Sequence, residues 1–127
     1  MLHWGIHTAL NLQRCCPHTI RSAPRILAFS NALVKAIDMK QHGPAQIIHF
    51  GEDDKKGYTL LTLLTTSNIA AHFSEDLNAA FIDCFSCKAY DPAVVERVAK
   101  DFFKPSECER VVLYRGENTR GDNLCLY

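Results

Sequence analysis

The chain has 127 residues, a common size for one domain, and 47% hydrophobic and 22% charged residues are ordinary values for a soluble globular protein. Its 14 basic and 14 acidic residues cancel, so charge gives no reason to expect a nucleic acid or an anionic membrane as partner. The longest strongly apolar stretch, Tyr58 to Leu64, is too short to cross a bilayer.

The start of the chain has neither a basic region nor a small-residue cleavage site, so it does not resemble a signal peptide. Six cysteines, two of them the adjacent Cys15 and Cys16, fit a reducing compartment better than a disulfide framework. We therefore expect a cytoplasmic protein.

Two strands and one helix are predicted in the first part of the chain. Residues Trp4 to Leu12 alternate between larger and smaller or more polar side chains, which indicates a strand. Ser22 followed by Pro24 predicts the start of a helix, and Gly43 predicts its end. A short strand is predicted at Ala45 to Phe50.

Three more strands are predicted next. Tyr58 to Thr66 and Ile69 to Phe73 are rich in strand-forming residues, and Ser67 and Asn68 between them predict a tight antiparallel reversal. Ala79 to Cys87 has the character of a further strand.

The last part of the chain completes the predicted fold. Asp91 caps a second helix that ends at Lys104, and Glu109 to Tyr114 form a final strand before a polar tail at 117–127. The order β-α-β-β-β-β-α-β predicts a single α+β domain with its core at 3–116. We expect a two-layer sandwich, a mostly antiparallel sheet with two helices on one face.

Cys84 and Cys87 form the most visible candidate site, but their spacing argues against a shared metal or disulfide. In a strand, residues three apart face opposite sides. No second cysteine pair of this spacing completes a zinc site. We therefore interpret Cys84 as a small core residue and predict no metal.

Ser67 and His72 are also weak signals when each is taken alone. A serine between two strands is ordinarily a turn residue, and a histidine in a strand is ordinarily structural. The chain contains neither a G-x-S-x-G hydrolase motif nor a glycine-rich phosphate loop.

The order of these residues resembles that of the bacterial S-adenosylmethionine decarboxylases. The resemblance extends from about Gly5 to Gly116 and is ungapped between Ser67 and Cys87. It rests on Gly5-Ile6-His7, Cys15, His49-Phe50, Gly57-Tyr58-Thr59, Ser67, His72, Asp83, Cys87, Asp91-Pro92 and Arg115-Gly116.

This resemblance implies a proenzyme that cuts itself between Thr66 and Ser67. The Ser67 hydroxyl would attack the Thr66 carbonyl, and elimination and hydrolysis would then convert Ser67 into a pyruvoyl cofactor. Thr59 takes the place of a residue that assists processing, and His72 that of the histidine that moves protons.

The resemblance also implies the decarboxylation of S-adenosylmethionine for spermidine synthesis. The pyruvoyl carbonyl condenses with the substrate amine and withdraws electrons as the carboxylate leaves. Cys87 matches the residue that returns a proton to the substrate. Phe50 matches a ring that stacks on adenine, and Asp76 stands where the family has a carboxylate that holds the ribose.

Several positions depart from the family pattern, and they leave two alternatives open. The triplet Glu-Ser-His is Thr66-Ser67-Asn68 here, and Ser74-Glu75 replaces Trp-Pro. Asn11, a candidate substrate-binding residue by this resemblance, replaces an acidic residue. The substrate could instead be another amino acid, such as arginine or ornithine. Alternatively, the chain could be an unprocessed binding or regulatory subunit. In either case, the resemblance implies a homo-oligomer such as a dimer, with sheet or active-site residues contributed across the interface.

Overall fold

Six antiparallel strands form one sheet in the computed structural model, which describes residues 3–116. The strands are β1 (Gly5–Gln13), β2 (Gln46–Phe50), β3 (Gly57–Leu64), β4 (Ser67–Ser74), β5 (Ala79–Ser86) and β6 (Glu107–Arg115). The helices are α1 (Pro17–Ile20), α2 (Ala23–Ala36) and α3 (Pro92–Phe103), with a short 3-10 turn at Asp53–Lys55. Across the sheet the strands follow the order β2-β3-β4-β5-β1-β6.

The helices cover one face of this sheet and enclose the core. Phe29 of α2 and Phe103 of α3 are fully buried, with ring centroids 4.9 Å apart. They belong to the same core cluster as inward-facing strand residues such as Leu10, Ile69 and Ile82. Burial of this apolar surface is the main force that holds the layers together. The predicted α+β sandwich is therefore confirmed.

The two long helices begin as the sequence predicts. The Ser22 side chain accepts a hydrogen bond from the Arg25 amide at 3.2 Å, and Asp91 accepts one from the Ala93 amide at 2.9 Å. Helix α2 ends at Ala36, before Gly43, and Asp38 has a left-handed φ of 55°. The short helix α1 was not predicted, and its first residue is preceded by no side-chain cap.

The reversal between β3 and β4 lies two residues earlier than the sequence prediction. Leu64 pairs with Ser67, so Thr65 and Thr66 form the turn. The prediction of a turn at Ser67 and Asn68 was wrong because threonine favours strands whereas serine and asparagine favour turns. Ser67 is therefore the first residue of β4, and the Thr66–Ser67 peptide joins the turn to the strand.

Two predictions concern the tail of the chain and the absence of a membrane-spanning segment. The polar tail at 117–127 lies outside the described residues. Within residues 3–116, no helix combines the length and the apolar character that a membrane crossing requires.

Candidate active site

The Ser67 side chain is half-buried on the helix-covered face of the sheet. Its hydroxyl donates a hydrogen bond to the Ser86 hydroxyl at 2.5 Å and lies 3.8 Å from the sulfur of Met39. Ser86 is directly opposite Ser67 in the β4–β5 register. The last residue of β5 thus contacts the first residue of β4.

The Thr66 carbonyl is held at the same end of the sheet. Its oxygen accepts a hydrogen bond from the Cys87 amide at 3.3 Å. Thr66 has a φ of 68°, a left-handed conformation that is strained for a β-branched residue. Thr66, Ser67, Ser86 and Cys87, named here the Ser67 cluster, therefore combine a hydroxyl, a strained peptide and an amide donor to its carbonyl oxygen.

Cys84 is separate from this cluster. It is fully buried, and burial raises the pKa of its thiol to about 12. Strand β5 ends at Ser86, so the predicted strand is one residue too long and Cys87 follows it. In the described part of the chain, no three His, Cys, Asp or Glu side chains are grouped so that they could hold a metal ion.

A second group of candidate residues lines a cleft on the open face of the sheet. The Nδ1 atom of His72 lies 3.1 Å from the Thr59 hydroxyl, and His72 is exposed. Phe50 lies at the end of β2 with 57% of its surface exposed. The cleft, named here the His72 cleft, has a volume of about 430 Å³ and is lined by Phe50, Asp54, Lys55, Tyr58, Thr59, His72, Phe73, Ser74, Leu77 and Phe81.

The Ser67 cluster and the His72 cleft are far apart within one chain. Both residues lie on β4, five positions apart, which corresponds to roughly 16 Å between their Cα atoms. An odd separation also places the two side chains on opposite faces of the strand. Ser67 faces the helices and His72 faces the open side. No proton can pass directly between these two side chains within the chain.

The two remaining predicted binding residues lie outside the cleft. Asp76 is in the turn between β4 and β5, beside a polar surface depression that Arg21 and Lys56 also line. Asn11 donates a hydrogen bond to the Glu109 carboxylate at 2.7 Å. It lies directly opposite Phe81, so it borders the row of open-face residues that includes His72.

Sequence reasoning missed contributors to both sites. Ser86 and Met39 contact Ser67, and Phe81 lines the cleft beside His72. Their contacts depend on the register between the consecutive strands β4 and β5 and on the residues that follow helix α2. The sequence contains no local signal for either.

The open face of the sheet carries several large apolar side chains. Every second residue of β2, β3, β5 and β6 faces away from the helices, and the strand registers place these residues side by side. Several of them have large apolar side chains that are exposed. These residues are Ile48, Phe50, Leu61, Leu63, Phe81, Val111 and Leu113. An exposed apolar surface of this kind is typical of an interaction site.

Fold and site together define a two-layer α+β protein with a buried serine cluster at one end of a strand and a histidine cleft toward the other. The sequence profile of the S-adenosylmethionine decarboxylase family matches residues 6–116. The chain belongs to this family.

A solved structure has the same fold. The adenosylmethionine decarboxylase from Aquifex aeolicus VF5 is 20% identical, and the alignment covers 97% of this chain and 99% of that chain with a TM-score of 0.77. A search of curated protein sequences gave no match.

Proposed function

We propose that the chain is a proenzyme that cuts itself between Thr66 and Ser67 and then decarboxylates S-adenosylmethionine. Family membership supports the reaction class. The observation that carries the proposal is the geometry at the cut: a left-handed Thr66 whose carbonyl oxygen accepts the Cys87 amide, next to the Ser67 hydroxyl.

The first step of processing moves an acyl group from nitrogen to oxygen. A bond forms between Ser67 Oγ and the Thr66 carbonyl carbon, the bond from that carbon to the Ser67 nitrogen breaks, and the hydroxyl proton ends on that nitrogen. Negative charge develops on the Thr66 oxygen in the transition state. The Cys87 N–H, 3.3 Å from this oxygen, stabilises that charge.

The second step is an elimination that requires a base. Loss of the Ser67 Cα proton breaks the Cβ–O ester bond, which leaves a Thr66 carboxylate and a dehydroalanine. Water then converts the dehydroalanine into a ketone and releases ammonia. His72 is our candidate for the base: when its Nδ1–H donates to Thr59, 3.1 Å away, its Nε2 retains a lone pair.

His72 acts, in this proposal, on Ser67 of a second copy of the chain. A separation of roughly 16 Å along β4 excludes direct transfer within one copy. Ser67 is the first residue of β4, so a partner that lies on the open face can approach its Cα at the end of the strand.

A dimer in which the open faces of two copies stack against each other would bring His72 of one copy to Ser67 of the other. In this dimer the two-fold axis lies between the two sheets and runs perpendicular to the β4 strands. The two β4 strands then run in opposite directions, so each His72 cleft lies over the Ser67 end of the partner's β4. The exposed apolar residues of the open face supply the buried area for such an interface. Each active site then combines the Ser67 cluster of one copy with the His72 cleft of the other.

A pyruvoyl group at Ser67 would supply a carbonyl electron sink for the decarboxylation of a substrate that carries an α-amine. Cys87 lies beside this position and is our candidate to return a proton to the substrate carbon. The exposed Phe50 ring offers a surface on which adenine can stack. The decarboxylated product is the aminopropyl donor for spermidine synthesis.

One observation favours a second candidate, decarboxylation of another amino acid such as arginine or ornithine. Asp76, which stands where the family holds the ribose, is not among the residues that line the cleft. Asp54 and Lys55, from the loop between β2 and β3, line it instead. Measuring carbon dioxide release from S-adenosylmethionine, arginine and ornithine separates the two candidates.

Intact-mass measurement of the purified protein tests processing. We expect fragments 1–66 and 67–127, with a ketone at the start of the second. Ser67→Ala should give one uncut chain, whereas Cys87→Ala should be cut and turn over slowly, because its backbone amide is retained. A wild-type chain that stays whole would instead favour an unprocessed binding or regulatory subunit.

Mixed dimers test the contribution of His72 across the interface. Ser67→Ala and His72→Ala chains, each expressed alone, should not form the ketone. When they are co-expressed with different tags, the His72→Ala chain should be cut, because its Ser67 meets an intact His72 of the Ser67→Ala partner. Absence of cutting in verified mixed dimers would contradict the shared site.

A further inference from the structure

Ser86 is a buried hydroxyl beside the scissile peptide to which the proposed function assigns no role. It is 0% exposed and ends β5, directly opposite Ser67. Its distance of 2.5 Å to the Ser67 hydroxyl is that of a short O–H···O hydrogen bond.

The Ser86 hydroxyl is held from three sides. It accepts hydrogen bonds from Ser67 at 2.5 Å and from the Lys88 amide at 2.9 Å, and its own proton points to the Met39 sulfur at 3.7 Å. With its proton directed at Met39, its oxygen presents lone pairs to Ser67 and Lys88. Ser86 is therefore a fixed acceptor rather than a freely rotating hydroxyl.

We propose that Ser86 is a positioning residue for self-processing, an inference that rests on the proposed function. By accepting a hydrogen bond from the Ser67 hydroxyl, Ser86 fixes the rotamer of Ser67 and raises the electron density on the attacking oxygen. Ser86 itself neither gains nor loses a proton over the step. The proton of Ser67 Oγ still ends on the Ser67 nitrogen when the peptide bond breaks.

Another buried hydroxyl pair provides the matched control. Ser30 of α2 and Thr62 of β3 are both 0% exposed, and their hydroxyl oxygens are 2.7 Å apart. Ser30→Ala therefore removes a comparable buried hydrogen bond in the helix–sheet interface without touching a residue of the Ser67 cluster. A loss that is only structural should affect Ser30→Ala and Ser86→Ala alike.

The experiment follows the cutting of newly made chains. Wild type, Ser86→Ala, Ser86→Thr and Ser30→Ala are made by cell-free synthesis, and fragment 67–127 is measured by mass at intervals after synthesis stops. Parallel samples receive hydroxylamine, which cuts the ester formed in the first step. We expect Ser86→Ala to slow both readouts by at least about tenfold. Ser30→Ala should match wild type, and Ser86→Thr should recover most of the rate because it keeps the hydroxyl.

Three results would overturn the inference. Cutting of Ser86→Ala at the wild-type rate excludes a positioning role, and equal slowing in Ser30→Ala with no recovery in Ser86→Thr assigns the effect to lost stability. If Ser86→Ala does not fold, Ser86→Cys is judged by the same criteria, because a thiol fills the site but accepts hydrogen bonds poorly. If the wild-type chain is cut neither spontaneously nor by hydroxylamine, the proposed function itself is wrong. This result is distinguishable from the others because it concerns the wild type alone and needs no comparison of variants.

Discussion

Thr66 shows how a single residue can prepare a peptide bond for rearrangement. Its φ of 68° is unfavourable for a β-branched side chain, and such strain typically costs about 1–3 kcal/mol. The strain lies at the carbonyl that Ser67 would attack. Energy held in the uncut chain lowers the barrier to cutting if the transition state relieves it.

Thr66→Gly should therefore stabilise the uncut chain and slow its processing. Glycine adopts a positive φ without a steric penalty. In a Ser67→Ala background, which prevents cutting, we expect the added glycine to raise the free energy of unfolding by roughly 1 kcal/mol. Urea denaturation measures this gain, and the appearance of fragment 67–127 measures processing in the Ser67 background.

Thr65→Gly is the control for Thr66→Gly. Thr65 occupies the other position of the same turn and is not among the described residues with a positive φ. Glycine there should destabilise the chain slightly because it adds entropy to the unfolded state. Equal effects of the two substitutions on stability and on cutting would exclude strain at Thr66 as their cause.

Sequence order identified Ser67, His72, Thr59, Phe50 and Cys87 as candidates but could not determine which of them meet. Ser86 could not be found from sequence at all. It contacts Ser67 only because β5 pairs with β4 in one particular register, and a register shift of one residue would turn its side chain to the other face. The register of that pairing leaves no pattern in the residues around position 86.

At the level of the elements, alternation predicted the six strands and capping signals predicted the starts of the two long helices. The β3–β4 turn was misplaced because its two threonines favour strands. That error also concealed the geometry of the site. Once Ser67 is assigned to β4 rather than to a turn, its odd separation from His72 places the two side chains on opposite faces.

The start of β3 is the element boundary that we expect to be least tolerant of change. Gly57 has a φ of 155°, and a Cβ atom there would lie 1.7 Å from the Phe73 carbonyl oxygen. Gly57→Ala should therefore push β3 away from β4, close to the Thr59–His72 contact. We expect it to destabilise the chain by about 3 kcal/mol or more, measured by thermal or urea unfolding.

Gly43→Ala separates the clash at Gly57 from the general cost of alanine at a positive φ. Gly43 has a φ of 80°, and an added Cβ would meet no atom within 4 Å. Its substitution should cost only the backbone strain, about 1 kcal/mol. If both variants lose the same stability, then close packing of Gly57 against β4 is not a significant constraint.

At the scale of the whole molecule, we propose one explanation for the exposed apolar residues of the open face and for the separation of Ser67 from His72. Within the described residues, the Ser67 hydroxyl and the His72 ring lie on opposite faces of β4 and roughly 16 Å apart along it. The open face carries exposed apolar residues and also the His7–Asp83 pair, whose Nε2 and Oδ1 atoms are 2.9 Å apart. A second copy stacked on this face would bury the apolar residues and complete both sites. The sequence implied an oligomer only through its resemblance to a family.

A charge placed on the open face should separate the copies and stop processing together. Leu61 on β3 is 37% exposed and lines no part of the His72 cleft, and Leu27 on α2, which is 41% exposed, is a matched leucine on the helical side. An unpaired carboxylate buried by Leu61→Glu should cost about 3 kcal/mol and weaken the dimer about a hundredfold. Leu27→Glu should leave both association and cutting unchanged. Sedimentation equilibrium measures the association and intact mass measures the cutting. A Leu61→Glu chain that is cut at the wild-type rate as a monomer would show that His72 of a second copy is not required.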